Sequence, residues 1–336
     1  MNILRWLLNT QLKLSQKQNK NNGFTLIELL VAMLIAFLVI TPLLGFMIGV
    51  LNTDRQEQAK ANSEQEIKAA LDYISRDLQQ AIYIYDATGI DCLSGIVDTT
   101  TTTCPNASTT GNQLPTSITG TNRIPVLVFW KRELVSQAIT ITGSQKDDAF
   151  VYSLVAYYLV KDTSTSTTWS NTARIARWQI KDGVEGSSTC TGFTETYSQC
   201  PDAGFKAFNL SEKGKTLQQK MNQWTKGTGT YVQQPLVLVD FIDQTTIAQQ
   251  APSGTCSSSD FQRIPASTVT TIPTGFYACV DSVSADNRST AEVFIRGNAQ
   301  IRLINDETKA RYAQNKSSYF PSANIKVQGR SLIFTK

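Results

Sequence analysis

The chain has 336 residues, 41% hydrophobic and 17% charged, which is enough apolar material for one large or two ordinary globular domains. It contains no histidine, which excludes Ser-His-Asp and Cys-His catalysis, His-ligated zinc or haem, and imidazole proton transfer at neutral pH. The net charge of +4 resides in Arg5, Lys13, Lys17 and Lys20; removing these from 31 basic residues leaves 27 against 27 acidic ones, so no nucleic acid partner is expected.

The basic stretch 1–23 precedes an uncharged run from Leu29 to Leu51. As a helix these 23 residues cover about 35 Å, more than the roughly 30 Å of a bilayer's hydrocarbon core. Buried helices of soluble proteins seldom go so far without a charge, so a single membrane span is predicted. Positive charge before the run and the mixed set Asp54, Arg55, Glu57 and Lys60 after it put the N-terminus in the cytoplasm and the rest outside. The run is too long for the core of a secretory signal and ends without a small-residue cleavage site. Pro42 predicts a kink, while Gly45 with Gly49, and Ala32 with Ala36, have spacings that suit close helix packing. Glu28 stands at the edge of the span, where a carboxylate is costly unless it is partnered or reaches interfacial water.

Beyond the span, Ile67, Leu71, Ile74, Leu78 and Ile82 recur at helical spacing, with Glu64, Glu66, Lys68, Asp72, Arg76 and Asp77 between them. This predicts an amphipathic stem helix to about Tyr83, either continuous with the span over roughly 90 Å or broken near Asn52 or Asn62-Ser63. After Asp86 the pattern turns to strands: Ile124 to Trp130, Phe150 to Val160, Ala173 to Ile180, Val237 to Ile242, Gly275 to Val280, Val293 to Ile304 and Ile325 to Phe334. Alternation in Ala173–Ile180 and in Ile301–Ile304 predicts strands with one wet face. Residues 98–122, 161–172 and 183–230 read as surface loops and insertions.

All six cysteines follow the span in close pairs: Cys92 and Cys104, Cys190 and Cys200, Cys256 and Cys279. An exported chain favours disulfides, and loop closure favours pairing of neighbours, although six cysteines allow 15 connectivities. No C-x₂-C spacing and no histidine support a metal site. Phosphate-binding loops, dinucleotide fingerprints and nucleophile elbows are absent. Asp240 with Asp243, and Asp147 with Asp148, are candidate calcium ligands or paired carboxylates, set against the simpler reading of solvated turn residues. Trp130, Trp169, Trp178 and Trp224 are candidate sugar platforms, with Trp130 and Trp178 better suited to a core. No catalytic residue, metal or cofactor is assigned, and an enzyme is not expected.

The junction Asn21-Asn22-Gly23-Phe24-Thr25-Leu26-Ile27-Glu28-Leu29-Leu30 resembles the class III signal of type IV pilins and pseudopilins. The segment Leu71–Ala81 looks like the stem of larger minor pilins of the J/W type. The stretch Thr41–Ala87 looks most like the cyanobacterial hormogonium polysaccharide secretion pseudopilins. The resemblance implies cleavage by prepilin peptidase after Gly23, N-methylation of Phe24, and pairing of the Phe24 amine with Glu28 of another subunit. It also implies an α+β, pilin-like fold: a long N-terminal helix, half membrane and half amphipathic, packed on an antiparallel β-sheet-rich head with long loops.

The expected division is 1–23 cleaved leader, 24–51 transmembrane or filament-core helix, 52–85 stem helix and 86–336 exported head. Expected partners are prepilin peptidase, other pilins, an inner-membrane assembly platform, membrane lipid before assembly, and exported polysaccharide. The implied location is the inner membrane, single-pass, with a periplasmic head, then a pilus, pseudopilus or cell surface. The implied role is a structural minor pilin or pseudopilin supporting polysaccharide secretion and gliding. Rival readings are a minor pilin for protein secretion or DNA uptake, a membrane-anchored carbohydrate-binding adhesin, and an anchored hydrolase.

Overall fold

A computed structural model describes residues 24–94, 113–115, 117–118, 121–143, 145–162, 168–212, 216–282 and 289–329. Gly23 and Cys104 lie outside them. The chain divides into two units, one ending at Arg55 and the other beginning at Gln56.

In the first unit, helix α1 (Leu26–Gln79) is exposed at every position from Leu26 to Arg55, and it is long and apolar enough to cross a membrane. Pro42 lies inside the helix without ending it, and the neighbouring Thr41 hydroxyl donates to the Phe37 carbonyl at 2.8 Å. Neither Asn52 nor Asn62-Ser63 breaks the helix. Asn62-Ser63 is flanked by Ala, Lys, Glu and Gln, whose helix propensity offsets the weak formers.

In the second unit the remainder of α1 is followed by β1 (Ala81–Ile84), α2 (Ala87–Ser94), β2 (Ser117–Ile118), β3 (Thr121–Thr142), β4 (Gln145–Asp162) and β5 (Ala173–Lys181). Then come β6 (Val184–Thr189), β7 (Thr196–Gln199), α3 (Leu217–Met221), β8 (Leu236–Ile242), β9 (Gln262–Ile264), β10 (Phe276–Asp281), β11 (Thr290–Arg296), α4 (Ala299–Leu303) and β12 (Ser322–Gln328). A main antiparallel sheet has the order β1-β3-β4-β5-β8, with β2 paired to β3; a second sheet has the order β12-β11-β10-β9, and β6 and β7 form a hairpin. The fold is α+β and pilin-like: a long N-terminal helix followed by an antiparallel β-rich head.

Several boundaries differ from the periodicity. The stem helix stops at Gln79, and Ile82 belongs to β1, because Ala81–Ile84 pairs with Phe129–Lys131 of β3 and sheet pairing outweighs the helical spacing. The run Val293–Ile304 divides into β11 and α4: the buried Asn298 caps the helix by accepting from the Ile301 amide at 3.1 Å. Alternation in Ile301–Ile304 is therefore a feature of a short helix and its exit. Neither face of β5 is wet: Arg174 on one face pairs with Asp162, and Arg177 on the other pairs with Asp77 of α1. Residues 183–230 hold more than surface loops. Phe205, Phe208 and Trp224 meet Trp130 edge-on, and Tyr231 meets Trp178 at 4.9 Å, so this irregular segment builds an aromatic layer over the sheet.

On the other face of the sheet, Ile67, Ala70, Leu71, Ile74 and Leu78 of α1 enter the core. Among them sits Asp77, buried although the stripe places it with the solvent-facing residues. Lys131 Nζ of β3 donates to its Oδ1 at 3.0 Å; Tyr157 OH of β4 and Arg177 Nε of β5 donate to its Oδ2 at 2.8 Å and 2.6 Å. Glu133, which accepts from Ser153 at 2.9 Å, lies 3.7 Å from Lys131 and balances the second cation. Burial pushes the Asp77 carboxyl up. The hydrogen bond and charge of Arg177, the charge of Lys131 and the Tyr157 hydroxyl outweigh it and hold the group below its ordinary value.

The carboxylate's contribution is thus present above about pH 4 and is lost as pH falls through the depressed folded value. Asp77→Asn leaves Lys131 and Arg177 with Glu133 as their one remaining acid and should lower stability by roughly 3–5 kcal/mol in urea unfolding at pH 7. The variant should also lack this part of the wild type's loss of stability below about pH 4. A loss under 1 kcal/mol, about what an exposed pair contributes, would show that the stem is held by apolar packing alone.

Cys190–Cys200 closes the β6–β7 hairpin and Cys256–Cys279 ties the loop before β9 to β10, each with Cα atoms 5.7 Å apart. Cys92, on α2, is also disulfide-bonded. Non-reducing peptide mapping of protein from the native envelope should recover three intrachain bridges, including Cys92 with Cys104. Free thiols at these positions would contradict an oxidising location for the head.

Candidate functional site

The N-terminal site is built on the first turn of α1. Thr25 stands just before the helix and accepts at its Oγ1 from the Glu28 amide at 3.4 Å, while Glu28 Oε2 accepts from the Thr25 amide at 3.1 Å and from the Thr25 hydroxyl at 2.9 Å. The Leu29 amide donates to the Thr25 carbonyl at 3.1 Å and opens the helical ladder. This reciprocal arrangement is a capping box, which satisfies backbone donors that a helix start otherwise leaves open. The positive end of the helix dipole favours the Glu28 carboxylate in the same place.

Thr25 was not singled out as functional from the pattern, although the T-x-x-E spacing before an apolar run carries the signal. Phe24 precedes it, 85% exposed, so its amine position and the Glu28 carboxylate sit at one helix end. Farther along, a Cβ on Gly45 or Gly49 would meet nothing within 4 Å among the described residues, a spacing that suits close approach of another helix.

In the head the acidic pairs have structural duties. Asp240 accepts from the Ser170 amide and hydroxyl at 2.9 Å and 2.6 Å. Asp243, wholly buried, is held by Arg296 Nε at 2.8 Å and by the Thr245 amide and hydroxyl. Asp148 accepts from the Gln137 amide and Asp147 from the Asp148 amide, each at 2.8 Å. Among the described residues no three His, Cys, Asp or Glu side chains are grouped to hold a metal ion. Trp130, Trp178 and Trp224 are core residues, and Trp169 keeps 41% exposure.

The prokaryotic N-terminal methylation motif matches residues 18–44, spanning the leader junction, the capping box and the first part of the apolar helix. No curated protein and no solved structure matches the chain. The motif supports a type IV pilin-like protein and implies processing by prepilin peptidase and assembly with other pilins, and among the described residues one helix is long and apolar enough to cross a membrane.

Thr25→Val removes the hydroxyl but keeps the shape, and should weaken the helix start by about 1 kcal/mol. Hydrogen exchange of the micelle-bound protein reads this as faster exchange of the Glu28 and Leu29 amides with no change beyond Arg55. Unchanged protection at these amides would show that the cap is dispensable.

Proposed function

We propose that this chain is a minor pilin or pseudopilin of a type IV pilus-like or type II secretion-like machine, and that the machine supports polysaccharide secretion and gliding motility. The observation that carries the reading is the methylation motif at residues 18–44 running into an apolar helix with no buried side chain before Gln56. An exposed apolar surface of this length requires lipid, the stems of neighbouring subunits, or each in turn. The polysaccharide role is supported by the likeness of Thr41–Ala87 to hormogonium polysaccharide secretion pseudopilins.

In this reading prepilin peptidase cuts between Gly23 and Phe24, and the new Phe24 amine is methylated. Glu28 then has two possible partners. In the single subunit its carboxylate caps its own helix through Thr25. In a filament it exchanges part of that capping for the Phe24 amine of a neighbour, which fixes axial register because two charges in a low-dielectric bundle must meet. The Asp77 anchor then transmits the stem's position to the sheet. Gly45 and Gly49 allow a neighbouring stem to approach closely.

Mass spectrometry of the mature chain should find N-methylated Phe24 at its start, and Gly23→Val should leave the precursor uncut. Glu28→Ala should still be cleaved and reside in the membrane. It should fail to co-purify with sheared pili and should lose polysaccharide export, since breaking a buried pair costs roughly 3–5 kcal/mol. Normal assembly and export by Glu28→Ala would overturn the charge-pairing mechanism and favour an anchored adhesin.

A further inference from the structure

A cavity of about 300 Å³ lies where the far ends of β3 and β4 meet the turn after β8 and the segment after α4. Its apolar side includes Ile124 and Leu159, which are cross-strand partners. Gln244 also lines it. This residue is only 8% exposed, and its Oε1 has no hydrogen-bond partner among the described residues. Buried amide carbonyls are nearly always satisfied, so an orphan on a residue of the cavity wall points to a donor that is brought by a ligand when the side chain turns toward it.

The wall carrying Gln244 is rigid. Asp243, the residue before it, is gripped by Arg296 and Thr245, and Tyr312 donates its amide to the Thr245 hydroxyl at 2.8 Å. A side chain at Gly275 would place Cβ 2.1 Å from the Asp243 carbonyl, so the approach of these two backbones requires glycine. The opposite wall is fixed by Asp306, whose Oδ1 accepts from the Thr308 amide and hydroxyl at 2.9 Å and 2.7 Å. Between the walls, Lys161 and Glu307 pair at 3.3 Å and cancel. Arg311 also lines the cavity and makes no ion pair among the described residues, which leaves one positive charge in surplus.

We propose that this cavity binds an acidic saccharide, one sugar unit of which carries a carboxylate. Sugar hydroxyls supply the donor that Gln244 needs and bond to the paired charges. The C–H face of a ring suits Ile124 and Leu159, and the carboxylate answers Arg311. A volume of about 300 Å³ is at the small end of ligand pockets and suits one or two rings. The site gives the polysaccharide-secretion reading a ligand, yet it stands on the cavity alone and does not require assembly.

Isothermal titration of the full-length protein in detergent micelles with digalacturonate should show saturable binding, one per chain. The dimethyl ester of the same disaccharide, which lacks the charge, should bind at least tenfold more weakly. Arg311→Ala, at an exposed position, should weaken digalacturonate by on the order of tenfold with its thermal midpoint unchanged, and Gln244→Leu should do the same if it folds. Glu28→Ala should keep full affinity while failing to assemble, which separates this site from the filament reading. Absence of saturation, an unchanged affinity in Arg311→Ala, or equal binding of acetate or of a dipeptide carboxylate would overturn the assignment.

Discussion

The unit that begins at Gln56 depends on one buried carboxylate. Asp77 takes a proton donor from each of three adjacent strands: Lys131 from β3, Tyr157 from β4 and Arg177 from β5. Apolar packing of Ile67, Leu71, Ile74 and Leu78 supplies the attraction between helix and sheet, but it is non-directional and tolerates sliding or rotation. A charge that must meet three donors at hydrogen-bond distance does not. Two cations balanced by Asp77 and Glu133 make the cluster neutral, so burying it creates no net charge, while removal of any one member leaves the others uncompensated.

Further contacts along the same helix follow from that placement. Glu66 pairs with Arg302 of α4, whose guanidinium lies 3.9 Å from the centroid of the Phe241 ring. Gln56 accepts from the Tyr319 hydroxyl at 2.9 Å, and Lys60 lies 4.6 Å from the centroid of that ring. The stem is thereby tied to the main sheet near its end and to the second sheet's flanking segments near Gln56. From Phe24 to Arg55, by contrast, every residue is exposed. One helix thus carries an exposed apolar stretch up to Arg55 and, beyond Gln56, residues that enter the head's core. The head's network of fixed turns, centred on Asp243 and Asp306, then frames a cavity with an unsatisfied amide at its wall.

The sequence by itself determined the features that rest on local or near-local chemistry. An uncharged run from Leu29 to Leu51 has no other plausible solvent than a membrane or a helix bundle, and the capping-box spacing of Thr25 and Glu28 is written in four consecutive residues. The apolar stripe from Ile67 to Leu78, most strand positions and the neighbouring placement of the bridged cysteines were legible for the same reason. Tertiary structure decided what depends on residues far apart in the chain. Asp77 reads as a solvated stem residue until Lys131 and Arg177 arrive from strands more than fifty residues away, as the sequence separations of 54 and 100 show. The end of the helix at Gln79, the helix within Val293–Ile304 and the aromatic layer from the aperiodic stretch 183–230 were settled by pairing and packing partners that no local window contains. The roles of Asp240 and Asp243 as anchors of turns were hidden likewise, because a carboxylate's duty depends on which donors surround it, and only the folded chain brings Ser170 and Arg296 within reach.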